Sequence, residues 1–128
     1  MVLLDTPTLL WWANRDSALS PRALGAIESE RPGGEIKLSA ISAYQIAQWI
    51  TEGRLTLRMT PEDWFAHLHA APELTIIPID IPLALHAASL PLPTPESRLL
   101  AATARHLGCP LVTPNTALAA SGLLKTIW

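Results

Sequence analysis

Met1-Val2-Leu3-Leu4-Asp5-Thr6-Pro7-Thr8 opens the chain, and the reading of these eight residues decides the fold. Val2 to Leu4 is a continuous apolar run ended by a carboxylate, the pattern of a short parallel strand buried on both faces. Asp5 then stands at the carboxyl end of that strand. Thr6-Pro7-Thr8 begins a helix through Trp12, because a proline in the first turn gives up no hydrogen bond. A buried strand that passes directly into a helix is how an alternating α/β chain begins.

The same alternation continues outward. Ser20-Pro21-Arg22 is a second cap-and-proline helix start, followed by Leu24 and Ile27 and then by a turn at Pro32-Gly33-Gly34. Glu35 to Leu38 reads as the second strand, and a third helix from Ala40 carries Ile41, Tyr44, Ile46, Ala47, Trp49 and Ile50 until Gly53. Thr60-Pro61-Glu62-Asp63 starts a fourth helix with Trp64, Phe65 and Leu68 on its apolar face. Leu74 to Ile77 is the third strand, Ile81 to Leu90 a helix capped by Asp80, and Pro91 to Pro95 a rigid connector. A helix from Arg98 to Leu107 is closed by Gly108. Cys109 to Thr113 is a strand, Thr116 to Ala120 a short helix, and Lys125 to Trp128 a last strand. The order predicts one three-layer α/β/α domain over residues 1–128, built on a central parallel sheet.

Composition agrees and excludes several classes. A chain of 128 residues buries about two-thirds of its unfolded surface. With 49% hydrophobic and 16% charged residues it is neither a disordered tail nor a solvated coiled coil. The net charge of −2 argues against nonspecific attraction to nucleic acid, so any RNA contact must be focal. Cys109 is the only cysteine, which excludes an intramolecular disulfide and favours a reducing compartment. No apolar run approaches the roughly 20 residues of a membrane span, and no basic region precedes the first strand, so the expected location is cytoplasmic.

In open α/β sheets ligands collect beyond the carboxyl ends of the strands. That rule selects Asp5, the polar face of the third helix around Gln45, the helix start at Glu96-Ser97-Arg98, and Asn115 just past the strand ending at Thr113. The ordered set Leu3-Leu4-Asp5-Thr6, Leu10-Trp11-Trp12, Ser20-Pro21-Arg22-Ala23, Ser39-Ala40-Ile41-Ser42, Gly53-Arg54-Leu55, Arg98-Leu99-Leu100-Ala101-Ala102, Leu111-Val112-Thr113 and Ile127-Trp128 resembles PIN domains of the VapC toxin type. The resemblance covers essentially the whole chain. It implies a PIN fold and a magnesium- or manganese-dependent endoribonuclease, homodimeric and paired with a small antitoxin.

The resemblance also implies where the metal-holding acids belong, and the chain departs from them. Asp5 keeps the first acid. The second falls on Gln45, the third on Ser97 and the fourth on Asn115, while a further family Asp falls on Thr94. Magnesium is usually held by one or two carboxylates, and amide oxygens orient an ion without neutralising it. Asp5 therefore holds metal weakly or not at all, no cofactor is expected, and catalysis is expected to be impaired or lost. A binding role toward an antitoxin-like helix, a second PIN subunit or RNA replaces it. An active ribonuclease using Asp5, Gln45, Asn115 and Glu96 with one Mg or Mn ion is the alternative.

Other residues read more plainly. Glu96 is a first-turn carboxylate favoured by the helix dipole, turned from the crevice by one helical step. Arg98 is a helix-surface ion-pair partner in preference to a phosphate ligand. His67 and His69, two apart on a helix, face opposite ways and share no metal. The tryptophans are core or interface residues in preference to base-stacking platforms, Cys109 packs as a small hydrophobe, and Ser97 has no triad around it.

Overall fold

The computed structural model describes residues 1–128, as five strands and seven helices in one layered order. β1 (Val2–Leu4) leads into α1 (Thr6–Ala13) and α2 (Pro21–Glu30). β2 (Ile36–Ser39), α3 (Ala40–Thr51), α4 (Pro61–Ala70) and β3 (Leu74–Ile77) follow. α5 (Ile81–Ser89), α6 (Pro95–Leu107), β4 (Leu111–Val112), α7 (Thr116–Ala120) and β5 (Thr126–Ile127) complete the chain.

All strand pairs are parallel, in the order β3-β2-β1-β4-β5. β1 is central, with Leu3 paired to Lys37 on one side and to Leu111 on the other. The chain fills the sheet outward to β3 and then returns to place β4 on the far side of β1. That reversal makes the gap beyond β1 and β4 a topological switch point, where parallel sheets open a crevice.

Burial of β1 on both faces divides the core in two. Leu4 and Val2 pack with Leu9, Ala23, Ile27 and Ile46 under α1, α2 and α3. Leu3 points the other way, into Leu83, Leu100, Ala101, Leu111 and Leu118 under α5, α6 and α7. Successive strand residues face opposite sides, so three consecutive apolar residues serve two cores. The small residues Ala101, Ala102 and Ala104 are all but fully buried and let α6 approach the sheet closely.

Local start signals hold where they were read. Ser20, Thr60 and Asp80 cap α2, α4 and α5 by accepting from the third backbone N–H beyond, with proline in each first turn. Gly108 closes α6 at φ 64°, a left-handed position that glycine takes at no steric cost. The bounds of four elements differ. α6 starts at Pro95 and not at Arg98, because Thr94 and Ser97 build a capping box across its first turn. The fourth and fifth strands shrink to Leu111–Val112 and Thr126–Ile127, since the ladder that defines them covers only those residues. The second strand runs to Ser39, paired with Ile77.

Leu4 is fully buried at the centre of the sheet, so Leu4→Ala is expected to destabilise by about 2–5 kcal/mol in urea denaturation. Tyr44→Ala on the exposed face of α3 is expected to change the same measurement by less than about 0.5 kcal/mol.

Candidate functional site

The switch-point crevice is a cavity of about 390 Å³ whose polar lining is Asp5, Thr6, Gln45, Thr94, Glu96, Ser97 and Asn115, with Trp49 among its apolar walls. It gathers four separate segments: the β1–α1 junction, α3, the α6 start, and the turn from β4 into α7. Asp5, Gln45, Ser97 and Asn115 therefore meet in space although 110 residues separate the first from the last.

Asp5 is buried, with 6% of its surface exposed, and both carboxylate oxygens are engaged. Oδ1 accepts from the Thr8 backbone N–H at 2.9 Å, which makes Asp5 the N-cap of α1. Oδ2 accepts from the Thr113 hydroxyl at 2.5 Å. The Thr113 oxygen in turn accepts from the Asn115 N–H at 3.1 Å. Burial pushes the Asp5 carboxyl above its ordinary value, against the opposing pull of the bonds from Thr113 and Thr8.

The other side chains are similarly occupied. Gln45 Oε1 receives the Thr6 hydroxyl, and Ser42 and Thr6 share a further hydroxyl bond of 2.9 Å between α3 and α1. Thr94 Oγ1 accepts from the Ser97 N–H at 3.1 Å and Ser97 Oγ accepts from the Thr94 N–H at 3.3 Å, the two halves of the α6 capping box. Asn115 Oδ1 accepts from the Leu118 N–H at 3.1 Å and caps α7. Of the polar side chains that line the crevice, Glu96 is the one that makes no hydrogen bond or ion pair inside the fold.

Two expectations change. Glu96 lines the crevice as well as lying in the first turn of α6, because the earlier helix start at Pro95 turns the crevice side of that turn toward it. Arg98 does not line the crevice and has no ion pair. Its Nε donates to the Leu92 carbonyl at 2.6 Å and fastens the proline-rich connector to α6. Thr6, Thr113 and Ser42 are the residues that sequence reading missed. Hydroxyls just past the apolar runs Val2–Leu4 and Leu111–Val112 were the available signal.

The remaining candidates lie elsewhere. His67 Nδ1 donates to the Asp63 carbonyl at 2.8 Å within α4, and no group of three or more His, Cys, Asp or Glu side chains is placed to hold a metal ion. Trp12 donates its indole N–H to Glu28 at 3.0 Å, and Trp11 packs against Trp128 with ring centres 5.6 Å apart. Cys109 is a buried free thiol whose pKa burial pushes up. A second concavity, of about 620 Å³, opens between α1 and α2 over Trp12, Leu19 and Leu24, with Arg15 and Asp16 on its rim. No helix is long and apolar enough to cross a membrane.

The family model described as PIN domain matches residues 2–121. The chain belongs to the PIN-domain family. Solved structures agree at low identity. FitAcB from Neisseria gonorrhoeae is 19% identical with a TM-score of 0.64, the match covering 98% of this chain and 96% of that one. VapBC2 from Rickettsia felis, bound to a DNA fragment from its promoter, is 15% identical with a TM-score of 0.71 over 98% and 97%. A toxin–antitoxin complex from Klebsiella pneumoniae is 17% identical with a TM-score of 0.59 over 95% and 92%. At these identities the likeness is one of fold. No curated protein matches the chain.

For this PIN domain the donor chemistry decides whether a divalent ion fits. Magnesium requires near-octahedral oxygen ligation and at least one well-presented carboxylate. The crevice offers Asp5, whose two oxygens are already bonded and whose ionisation burial opposes, and Glu96, half-buried at its edge. Gln45 and Asn115 have their amide oxygens engaged and carry no charge. A pair of ions is not matched by this donor set.

The raised Asp5 pKa has a definite sign in stability. Between the unfolded value near 3.8 and the higher folded one, the native state binds more protons than the unfolded state, so stability falls as pH rises. Asp5→Asn keeps a capping acceptor and removes the charge. Its melting temperature relative to the parent is expected to rise progressively from pH 4 to pH 7 in calorimetric scans; a difference independent of pH would mean that Asp5 titrates as it does unfolded.

Proposed function

We propose that this PIN domain is a protein of the toxin–antitoxin kind that works by binding, its metal-dependent ribonuclease chemistry impaired or lost. The observation that carries the reading is the charge content of the crevice: two carboxylates, one of them buried and doubly bonded, where phosphodiester cleavage by divalent ions needs a concentrated negative cluster. Asp5, Gln45, Ser97 and Asn115 form the vestigial set, and Asp5 is the only acid in it.

An antitoxin-like protein is the proposed partner. The relatives of like fold include toxin–antitoxin complexes, which supports this partner class. The concavity between α1 and α2 suits it, since Trp12, Leu19 and Leu24 form an apolar floor and Arg15 on the rim has no ion-pair partner within the fold. RNA held without cleavage is compatible with Trp49 on the crevice wall. A homodimer is proposed through the outer face of α5, where Ile81 is 76% and Leu85 68% exposed. The place of action is proposed to be the cytoplasm.

One observation favours the second reading, an active endoribonuclease using Mg or Mn. Glu96 reaches the crevice that holds Asp5, so a single ion would find two carboxylates within one cavity.

The deciding experiment incubates the protein with a panel of structured RNAs and manganese, beside Asp5→Asn. No cleavage that depends on Asp5 is expected. Cleavage by the parent that vanishes in Asp5→Asn would put the active enzyme first. Light scattering during gel filtration is expected to give twice the 13.9 kDa chain mass, and Leu85→Asp to shift it to a monomer; a parental monomer removes the dimer proposal.

A further inference from the structure

Three helices of the chain end in the same left-handed turn, and one of them does so without glycine. At Gly53 and Gly108, which close α3 and α6, φ is 72° and 64°. Two N–H groups fold back onto the last helical turn at each: Gly53 to the Ile50 carbonyl at 3.1 Å and Arg54 to Trp49 at 2.8 Å, then Gly108 to Arg105 at 3.3 Å and Cys109 to Ala104 at 3.1 Å. After α1 the matching pair is made by the Arg15 N–H to the Trp12 carbonyl at 3.3 Å and the Asp16 N–H to Trp11 at 2.8 Å. Arg15 takes the left-handed place at φ 52° and is the only non-glycine residue of the chain at positive φ. Its Cβ crowds the following carbonyl oxygen, a steric cost that glycine avoids.

This strained residue stands on the rim of the concavity of about 620 Å³ between α1 and α2, over the apolar floor of Trp12, Leu19 and Leu24. The other charges of that lining are already engaged. Glu28 accepts from the Trp12 indole N–H at 3.0 Å and lies 3.4 Å from Arg31, which is also 3.6 Å from Glu73. Asp16 accepts from the Ala18 N–H at 2.9 Å and shapes the turn toward α2. Arg15 is exposed, and its guanidinium makes no hydrogen bond or ion pair inside the fold. Nothing within the molecule offsets the strain, and backbone outliers of this kind cluster at ligand clamps.

We propose that Arg15 is the specificity-determining anchor of this concavity, its guanidinium taking a carboxylate from a partner segment whose apolar side chains cover Trp12, Leu19 and Leu24. This rests on the reading above that the concavity takes an antitoxin-like protein, and it gives that partner a chemistry: an apolar segment bearing Asp or Glu. A planar guanidinium meets one carboxylate through two parallel hydrogen bonds, and an apolar cover excludes the water that would screen the pair. A phosphate chain is poorly matched, because Asp16 and Glu28 share the lining with the one unpaired cation and repel a polyanion.

The test selects short random peptides on the parent protein and measures the enriched ones by fluorescence polarisation against the parent, Leu24→Asp, Arg15→Lys and Arg15→Gly. Enriched peptides are expected to combine apolar residues with Asp or Glu, to lose binding to Leu24→Asp, and to bind Arg15→Gly about tenfold more weakly. Arg15→Lys keeps the charge without the planar fork and is expected to fall between. Arg15→Gly is also expected to melt about 3 °C above the parent, since glycine relieves the left-handed position, so weaker binding is not a sign of a damaged fold. A melting temperature no higher than the parent's removes the strain and overturns the anchor. Peptides that are lost on Leu24→Asp but indifferent to Arg15→Gly, or that bind as tightly with their acids exchanged for amides, overturn the anchor and leave the concavity a docking site. Peptides indifferent to Leu24→Asp, or no enrichment at all, overturn the docking reading and the anchor with it. Single-stranded RNA that binds the parent but not Arg15→Gly overturns the carboxylate in favour of a phosphate.

Discussion

The structure turns on one carboxylate that is buried at the end of the central strand. Asp5 follows three residues that must be apolar on both faces, so the backbone delivers it into the middle of the molecule at the point where strand order reverses. A charge there is costly unless it is met by donors or a cation. Here the Thr8 backbone N–H and the Thr113 hydroxyl meet it, and burial still holds its pKa above the usual carboxylate value. The Thr8 bond caps α1 and the Thr113 bond links the ends of β1 and β4, so the solution to a local electrostatic problem is also a tie across the sheet.

From that constraint the character of the crevice follows. Its walls are helix starts: Asp5 caps α1, Thr94 and Ser97 cap α6, and Asn115 caps α7. Side chains in capping positions are committed to backbone donors, and a committed oxygen is a poorer ligand. An acid in such a position can cap and bind an ion together because it has charge and spare lone pairs; an amide or hydroxyl keeps the cap and gives up the electrostatic attraction. The packing of Leu3 and Leu4 into two separate cores does not depend on the polar side chains of the crevice.

Much of the fold was legible because its signals are local. A cap residue followed by proline marks a helix start within four residues, which is why Ser20, Thr60 and Asp80 were read correctly. The α6 start was misread because Pro93-Thr94-Pro95 looks like an extended connector, whereas Thr94 and Ser97 satisfy each other only once the helix exists. Short strands at the sheet's far side were overestimated because apolar character extends further than the ladder that pairs them. At the site, Asp5, Gln45, Ser97 and Asn115 were legible as residues beyond strand ends or on helix faces. Their partners were not: Thr113 lies 108 residues from Asp5, and no spacing rule joins two residues so distant.

By itself the sequence determined the alternation of buried strands and capped helices, the PIN-type order of motifs, and the neutral side chains of Gln45, Ser97 and Asn115 beyond strand ends and on helix faces. Those are properties of residue type and local periodicity. Tertiary structure decided that β4 returns beside β1, that Glu96 faces the crevice while Arg98 is turned to Leu92, and that Thr6 and Thr113 take up the remaining polar groups. The reason is that strand order and long-range hydrogen bonds depend on where whole elements come to rest, and residues far apart in the chain learn each other's chemistry only when the sheet has closed.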